Sequence, residues 1–143
     1  MAKILVVIHR SIVEGLLQLA REMHPKEIIL LLRGKVKGQK LLVEEALIPP
    51  FAIPGIGFSS FPLQTLPMDF SIIGTAHSHP SGILHPSTRD LNRFYGKIML
   101  IIAYPYDLEG CFAIFDGNGN LVNCEIIDRD GNQSCHSNNV FNK

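Results

Sequence analysis

Apolar positions along the chain fall into short blocks, and their spacing changes from block to block. Residues 3–8 form an apolar run behind a single lysine and predict a first strand. Ile12, Leu16, Leu19, Ala20 and Met23 then recur at helical spacing. They predict a helix opened near Ser11 and stopped at His24-Pro25, because the residue before a proline is driven out of the helical region. Residues 27–32 are rich in isoleucine and leucine and predict a buried strand that ends at Arg33-Gly34, with Glu27 at its mouth. The basic stretch 35–40 reads as a solvated hairpin turn, and residues 41–48 as the strand leaving it.

Residues 49–67 break this pattern. Pro49, Pro50, Pro54, Pro62 and Pro67, with Gly55 and Gly57, cannot sit in a regular helix or a central strand, so a long loop or irregular edge is expected. The segment is nonetheless apolar through Phe51, Ile53, Ile56, Phe58, Phe61 and Leu63. It either folds over the core or offers a recognition surface.

Regular spacing resumes with a strand over 70–76 that leads into His77 and His79. Ser87 opens a short helix running to about Phe94 and ending near Gly96, and residues 97–103 are aliphatic enough for a central strand. Residues 111–115 and 121–127 flank Asp116-Gly117-Asn118-Gly119-Asn120, a hairpin signal. In that hairpin Cys111 faces Cys124, either as a disulfide or as two buried thiols acting as small apolar side chains. The polar stretch 129–143 is expected to be a loose tail behind a single domain at 1–128. Together the elements predict an α/β protein of the α+β type: a curved, mostly antiparallel or mixed sheet flanked by two main helices.

At 143 residues, 46% hydrophobic and 18% charged, the chain is long and apolar enough for one domain with a real core. Thirteen basic and thirteen acidic residues cancel, which argues against a nucleic-acid partner. The longest aliphatic run, 98–103, is far short of a membrane span, and the first residues read as a strand rather than a signal peptide. A soluble, cytoplasmic protein without membrane partners is expected. Three widely spaced cysteines make neither a zinc ribbon nor a dense disulfide framework.

The chemistry concentrates in His77-Ser78-His79-Pro80 and Ser87-Thr88-Arg89-Asp90. Side chains alternate along a strand, so His77 and His79 point to one side and Ser78 to the other. Two imidazoles and a carboxylate are a ligand set suited to zinc, whose catalytic sites keep three protein ligands and one open position. A competing reading is purely structural: Ser-x-x-Asp is also a capping box, with Ser87 starting a helix and Asp90 closing the box. His9, His24, His85 and His136 read as hydrogen-bonded surface residues. No His-Glu-x-x-His helix, deaminase zinc signature, phosphate-binding glycine loop or Gly-x-Ser-x-Gly elbow is found in the sequence.

In order and spacing, His77-Ser78-His79-Pro80 followed by Ser87 and Asp90 resembles the motif of the JAMM (MPN+) metalloprotease family. His24-Pro25-Lys26-Glu27 before an aliphatic run resembles that family's glutamate-bearing segment, and Tyr104-Pro105-Tyr106-Asp107 resembles small archaeal members. The similarity covers residues 9–128. It implies a layered fold of the MPN and cytidine-deaminase kind and one zinc per chain on His77, His79 and Asp90. It further implies Glu27 as general base and Ser87 as donor to the oxyanion, with Ser78 buttressing the site. The residues alone do not select Glu27 over Glu14, Glu22, Glu44 or Glu45. The implied activity is that of an isopeptidase acting at the Gly-rich C-terminal tail of a ubiquitin-like protein, with Phe51, Phe58 and Phe61 as substrate contacts. Hydrolysis of small amino-acid adducts on a sulfur-carrier protein is the alternative, and a non-catalytic scaffold a third reading. A homodimer is among the expectations.

Overall fold

The first apolar run becomes β1 (Leu5–His9) and the helical spacing behind it becomes α1 (Arg10–Met23) in the computed structural model of the chain. The described residues are 3–49 and 71–128, together with the short strand at 133–134. Helix α1 starts at Arg10, one residue earlier than Ser11, and its N-cap residue, His9, provides no side-chain cap. Its buried face is Val13, Leu16, Leu17 and Ala20, while Ile12, Leu19 and Met23 pack at the rim of the core. The inward face is thus turned slightly from the predicted one. The helix ends where the His24 N–H bonds to the Ala20 carbonyl and Pro25 follows.

Strand β2 (Ile29–Lys37) does not end at Gly34 as the sequence suggests. It continues to Lys37 and pairs antiparallel with β3 (Lys40–Leu47), leaving only Gly38 and Gln39 as the turn. Gly34 marks a bulge, not a breaker. A Cβ there would lie 1.8 Å from the Leu42 carbonyl oxygen and 2.8 Å from Ile73 Cδ1, so the close approach of neighbouring strands requires glycine.

After β4 (Ile72–His79) come α2 (Thr88–Asn92), β5 (Ile98–Ala103), β6 (Phe112–Phe115), β7 (Asn123–Ile127) and β8 (Gln133–Ser134). All eight strands join one mixed sheet in the order β6-β5-β4-β2-β3-β1-β7-β8. The curved mixed sheet with two flanking helices is the predicted α+β arrangement. The main core, between α1 and one sheet face, is built from Val6, Ile8, Leu17, Leu32, Leu100 and Ile114 among others. A smaller cluster of Met99, Ile101, Ala113 and Phe115 lies apart from it.

The last predicted hairpin needs correction. Its first rungs form, with Phe115 opposite Leu121 and the Asp116 N–H bonded to the Asn120 carbonyl. This register is one residue away from the predicted one, and β7 then leaves β6 to pair parallel with β1. The Asp116 carboxylate accepts the N–H groups of both Asn118 and Asn120, which closes a turn one residue longer than the predicted register allows. Cys111 and Cys124 are consequently free, buried thiols and not a disulfide pair. Burial pushes the Cys124 thiol up to about 12, which leaves it inert.

Within the expected loose tail, Gln133–Ser134 pairs with Ile126 and Ile127, an ordered element that the polar composition does not announce. The rest of 129–143, most of the proline-rich loop, and Phe51, Phe58, Phe61 and His136 lie outside the described residues. No helix among the described residues is long and apolar enough to cross a membrane.

Candidate metal centre

Strand β4 lies between β2, antiparallel, and β5, parallel, with His77 opposite Ile29 on one side and Ile101 on the other. Alternation along β4 puts Thr75, His77 and His79 on one face, where the first two neighbour Met99 and Ile101 of β5. Thr75, His77, His79 and Met99 line a cavity of about 580 Å³. Ala76 and Ser78 point the other way, Ala76 into the main core. The two imidazole rings sit 5.1 Å apart, as i and i+2 on a strand should.

Asp90 arrives from α2. Ser87 caps this helix, its hydroxyl accepting the Asp90 N–H at 3.1 Å while its own N–H donates to Asp90 Oδ2 at 2.8 Å. The capping box is therefore real, and it is also what aims the carboxylate at the histidines. Asp90 Oδ2 lies 3.0 Å from His79 Nε2, and Oδ1 lies 3.8 Å from His77 Nδ1. One ligand atom from each of His77, His79 and Asp90 falls within 4.8 Å of the others.

The three groups carry different charges. Burial pushes the His77 imidazole down to about 4, helped by His79 and opposed by Asp90, so it is neutral at physiological pH. Burial also pulls on His79, but hydrogen bonds to Asp90 and the Ile83 carbonyl, with the charges of Asp90 and Glu27, outweigh it and raise its pKa. Burial of Asp90 is likewise outweighed, by the His79 bond, the charge of His77 and the two Ser87 bonds, which hold its carboxyl well below the usual carboxylate range.

A divalent metal fits this arrangement. His77 Nε2 is fully buried and has no hydrogen-bond partner among the described residues, a costly condition for a polar atom unless something binds it. His79 Nδ1 is held 2.7 Å from the Ile83 carbonyl, the outer hydrogen bond that fixes the tautomer of a metal-ligating histidine. Two imidazoles and one ionised carboxylate are the donor set of a three-ligand zinc site.

Glu27, on the short link between α1 and β2, is exposed and lines the same cavity. It is brought there by the residue after it. The Ile28 N–H donates to the Ser78 hydroxyl at 2.9 Å, and the Ser78 N–H donates to the Ile28 carbonyl at 3.1 Å. Behind the link, His24 Nδ1 is hydrogen-bonded to the Tyr106 hydroxyl at 2.7 Å, and its ring stacks on Tyr104. The Tyr104 N–H in turn bonds to the His79 carbonyl, so the Tyr-Pro-Tyr segment ties the glutamate link to the ligand strand.

Sequence reasoning named the triad, Glu27 and Ser87, and the structure brings all five to one cavity. It missed Arg89 of α2, Arg93 at the C-cap of that helix, and His85, which line that cavity too. His85 is exposed and hydrogen-bonded to the Pro86 carbonyl at 2.9 Å, as expected, and its ring also meets Phe115 edge-on. Arg89 stands inside the quoted Ser87–Asp90 segment, and its position beside a ligand was the available signal.

The prokaryotic homologs of the JAB domain match this chain over residues 9–114. A probable metalloprotease of Haloferax volcanii is 33% identical over 121 residues, which cover 80% of this chain and 74% of the relative. A crystal structure of a JAB1/MPN domain protein from Archaeoglobus fulgidus is 32% identical and superposes with a TM-score of 0.62, over 83% of this chain and 96% of its own. A solved structure described as JAMM, a metalloprotease-like zinc site in the proteasome and signalosome, is 29% identical with a TM-score of 0.60, covering 86% of this chain and 98% of its own.

Proposed function

The chain belongs to the prokaryotic homologs of the JAB domain, and from that premise we propose that it is a zinc-dependent peptidase of the JAMM type. Its substrate in this reading is an amide at the Gly-rich C-terminal tail of a ubiquitin-like or sulfur-carrier protein. The observation that carries the reading is the convergence of the His77, His79 and Asp90 triad with Glu27 in one cavity. A scaffold role would be favoured by a missing ligand, and all three ligands are in place.

His77, His79 and Asp90 would hold the metal. Bound there, zinc supplies a Lewis acid and makes a coordinated water more acidic. Glu27, exposed to cavity water, accepts a proton at its carboxylate and returns it to the leaving amine. The Ser87 hydroxyl uses a lone pair to accept the Asp90 N–H, so its own hydrogen stays available to a developing oxyanion. Asp90 is kept ionised by Ser87 and His79, and His77 is kept neutral by burial, the states in which both serve as ligands. Ser78 holds the Glu27 link at a fixed distance from the ligand strand.

The test is hydrolysis of a ubiquitin-like or sulfur-carrier protein joined through its C-terminal glycine to a reporter amine. Cleavage at that glycine, abolished by a chelator and restored by zinc, is expected. A zinc-loaded protein that cleaves none of these amides overturns the reading.

A further inference from the structure

Tyr106 stands in the left-handed region of backbone space, at φ 66°, and among the described residues it is the one non-glycine residue to do so. For a bulky side chain that conformation costs free energy and persists only where the surroundings impose it. Here they do. The Tyr106 N–H donates to the Ala103 carbonyl at 2.8 Å, and Arg21 Nη2 of α1 donates to the Tyr106 carbonyl at 2.6 Å. The ring is buried in the main core and meets Tyr104 edge-on. The strained backbone thereby carries one polar atom, the hydroxyl, to 2.7 Å from His24 Nδ1.

His24 is where the link to Glu27 begins. The Lys26 N–H donates to the Met23 carbonyl at 2.9 Å and turns the chain, and at the far end Ser78 holds Ile28. Glu27 lies between these anchors and lines the cavity. Its carboxylate makes no hydrogen bond among the described residues, so the backbone that carries it sets its place. A link pinned at Ile28 alone can swing about that end. Pinned at His24 as well, it cannot.

We propose that Tyr106 is a positioning residue for Glu27: its hydroxyl fixes His24 and, with Ser78, suspends the link at both ends. This rests on the hydrolase reading given above, in which Glu27 is the base. Neither Tyr106 nor His24 lines the cavity, so their effect on turnover passes through Glu27.

The experiment compares zinc-loaded wild type with Tyr106→Phe, which keeps the ring in the core and removes the hydroxyl alone. On the reporter amide described above, kcat is expected to fall roughly tenfold to a hundredfold, the scale of a slightly misplaced catalytic group. KM and zinc content should not change. In a Glu27→Gln background the same substitution should alter the residual rate by no more than about twofold, since a base already removed cannot be misplaced. His24→Asn, whose amide can meet the hydroxyl, should keep more of kcat than His24→Ala. Amide hydrogen exchange gives a readout without turnover. The Lys26 N–H should exchange about tenfold faster in Tyr106→Phe, with the amides inside α1 unchanged.

Equal losses of rate in the wild-type and Glu27→Gln backgrounds overturn the assignment, because the hydroxyl would then serve the fold at large. Unchanged kcat, unchanged exchange at Lys26, or loss of zinc overturns it too. Should Tyr106→Phe fail to fold, the contrast between His24→Asn and His24→Ala carries the same comparison. If the wild type cleaves nothing, the hydrolase reading falls and exchange at Lys26 decides alone. Faster exchange then upholds the clamp at both ends, and unchanged exchange overturns it.

Discussion

The Ser78 hydroxyl accepts the Ile28 N–H at 2.9 Å, and the Ser78 N–H donates to the Ile28 carbonyl at 3.1 Å. Ser78 thus stands between two ligands in sequence and holds the neighbour of Glu27 in space. Ser78→Ala leaves the buried Ile28 N–H without its acceptor, a loss of roughly 1–3 kcal/mol. Zinc content should be unchanged and kcat should fall, with KM little affected, since this residue positions the base and touches no substrate. Unaltered kcat would show that Glu27 does not depend on the clamp.

Glu27→Gln removes a base and no ligand. One zinc per chain should remain by elemental analysis, and hydrolysis should drop by roughly a hundredfold or more. A near-normal rate would exclude Glu27 as the base.

His77→Ala and Asp90→Asn each delete or neutralise a ligand. Both variants should lose zinc at concentrations that saturate the wild type, and activity with it. Retention of stoichiometric zinc by both would place the metal elsewhere.

Ser87→Ala separates two duties of one hydroxyl. Loss of the cap should cost about 1 kcal/mol in denaturant unfolding. Loss of an oxyanion donor should lower kcat by a larger factor, equivalent to about 3 kcal/mol. A stability loss with full activity would leave Ser87 as a cap alone.

The metal-free protein should lose stability on mild acidification. The fold holds His77 at about 4 against an ordinary 6.5, so its contribution is complete above pH 6.5 and is lost as pH falls towards 4. The loss is on the order of 3 kcal/mol. Asp90, held low, adds to the loss at still lower pH, whereas His79, held high, contributes below pH 6.5 and loses that contribution as pH rises through its raised pKa. Denaturant midpoints of wild type and His77→Gln across this range test the point. The variant should flatten the fall between pH 6.5 and 4.

The triad is legible in the sequence because local rules set it. Alternation on one strand pairs His77 with His79, and a capping box orients Asp90. Glu27 is legible only through resemblance, because its place depends on the distant contact between Ile28 and Ser78. The same distinction explains the errors of fold. Gly34 reads as the end of a strand until Leu42 and Ile73 are seen pressing on it. Strand β7 reads as a hairpin arm because its true partner, β1, is at the opposite end of the chain. Arg89 went unread because an exposed arginine on a helix resembles any solvated side chain until the cavity beside it is known.

The ligands occupy one uninterrupted stretch, from His77 to Asp90, whereas Glu27 arrives only when β2 has docked against β4. Short-range closure is the easier event for a chain still finding its shape, and distant strand pairing the slower one. On the proposed reading, assembly is therefore expected to run in two stages, first an ion trap and then a cutting tool. A nascent or partly unravelled chain would capture its ion yet be harmless to nearby polypeptides. On refolding, metal uptake ahead of recovered turnover would be the mark of that order.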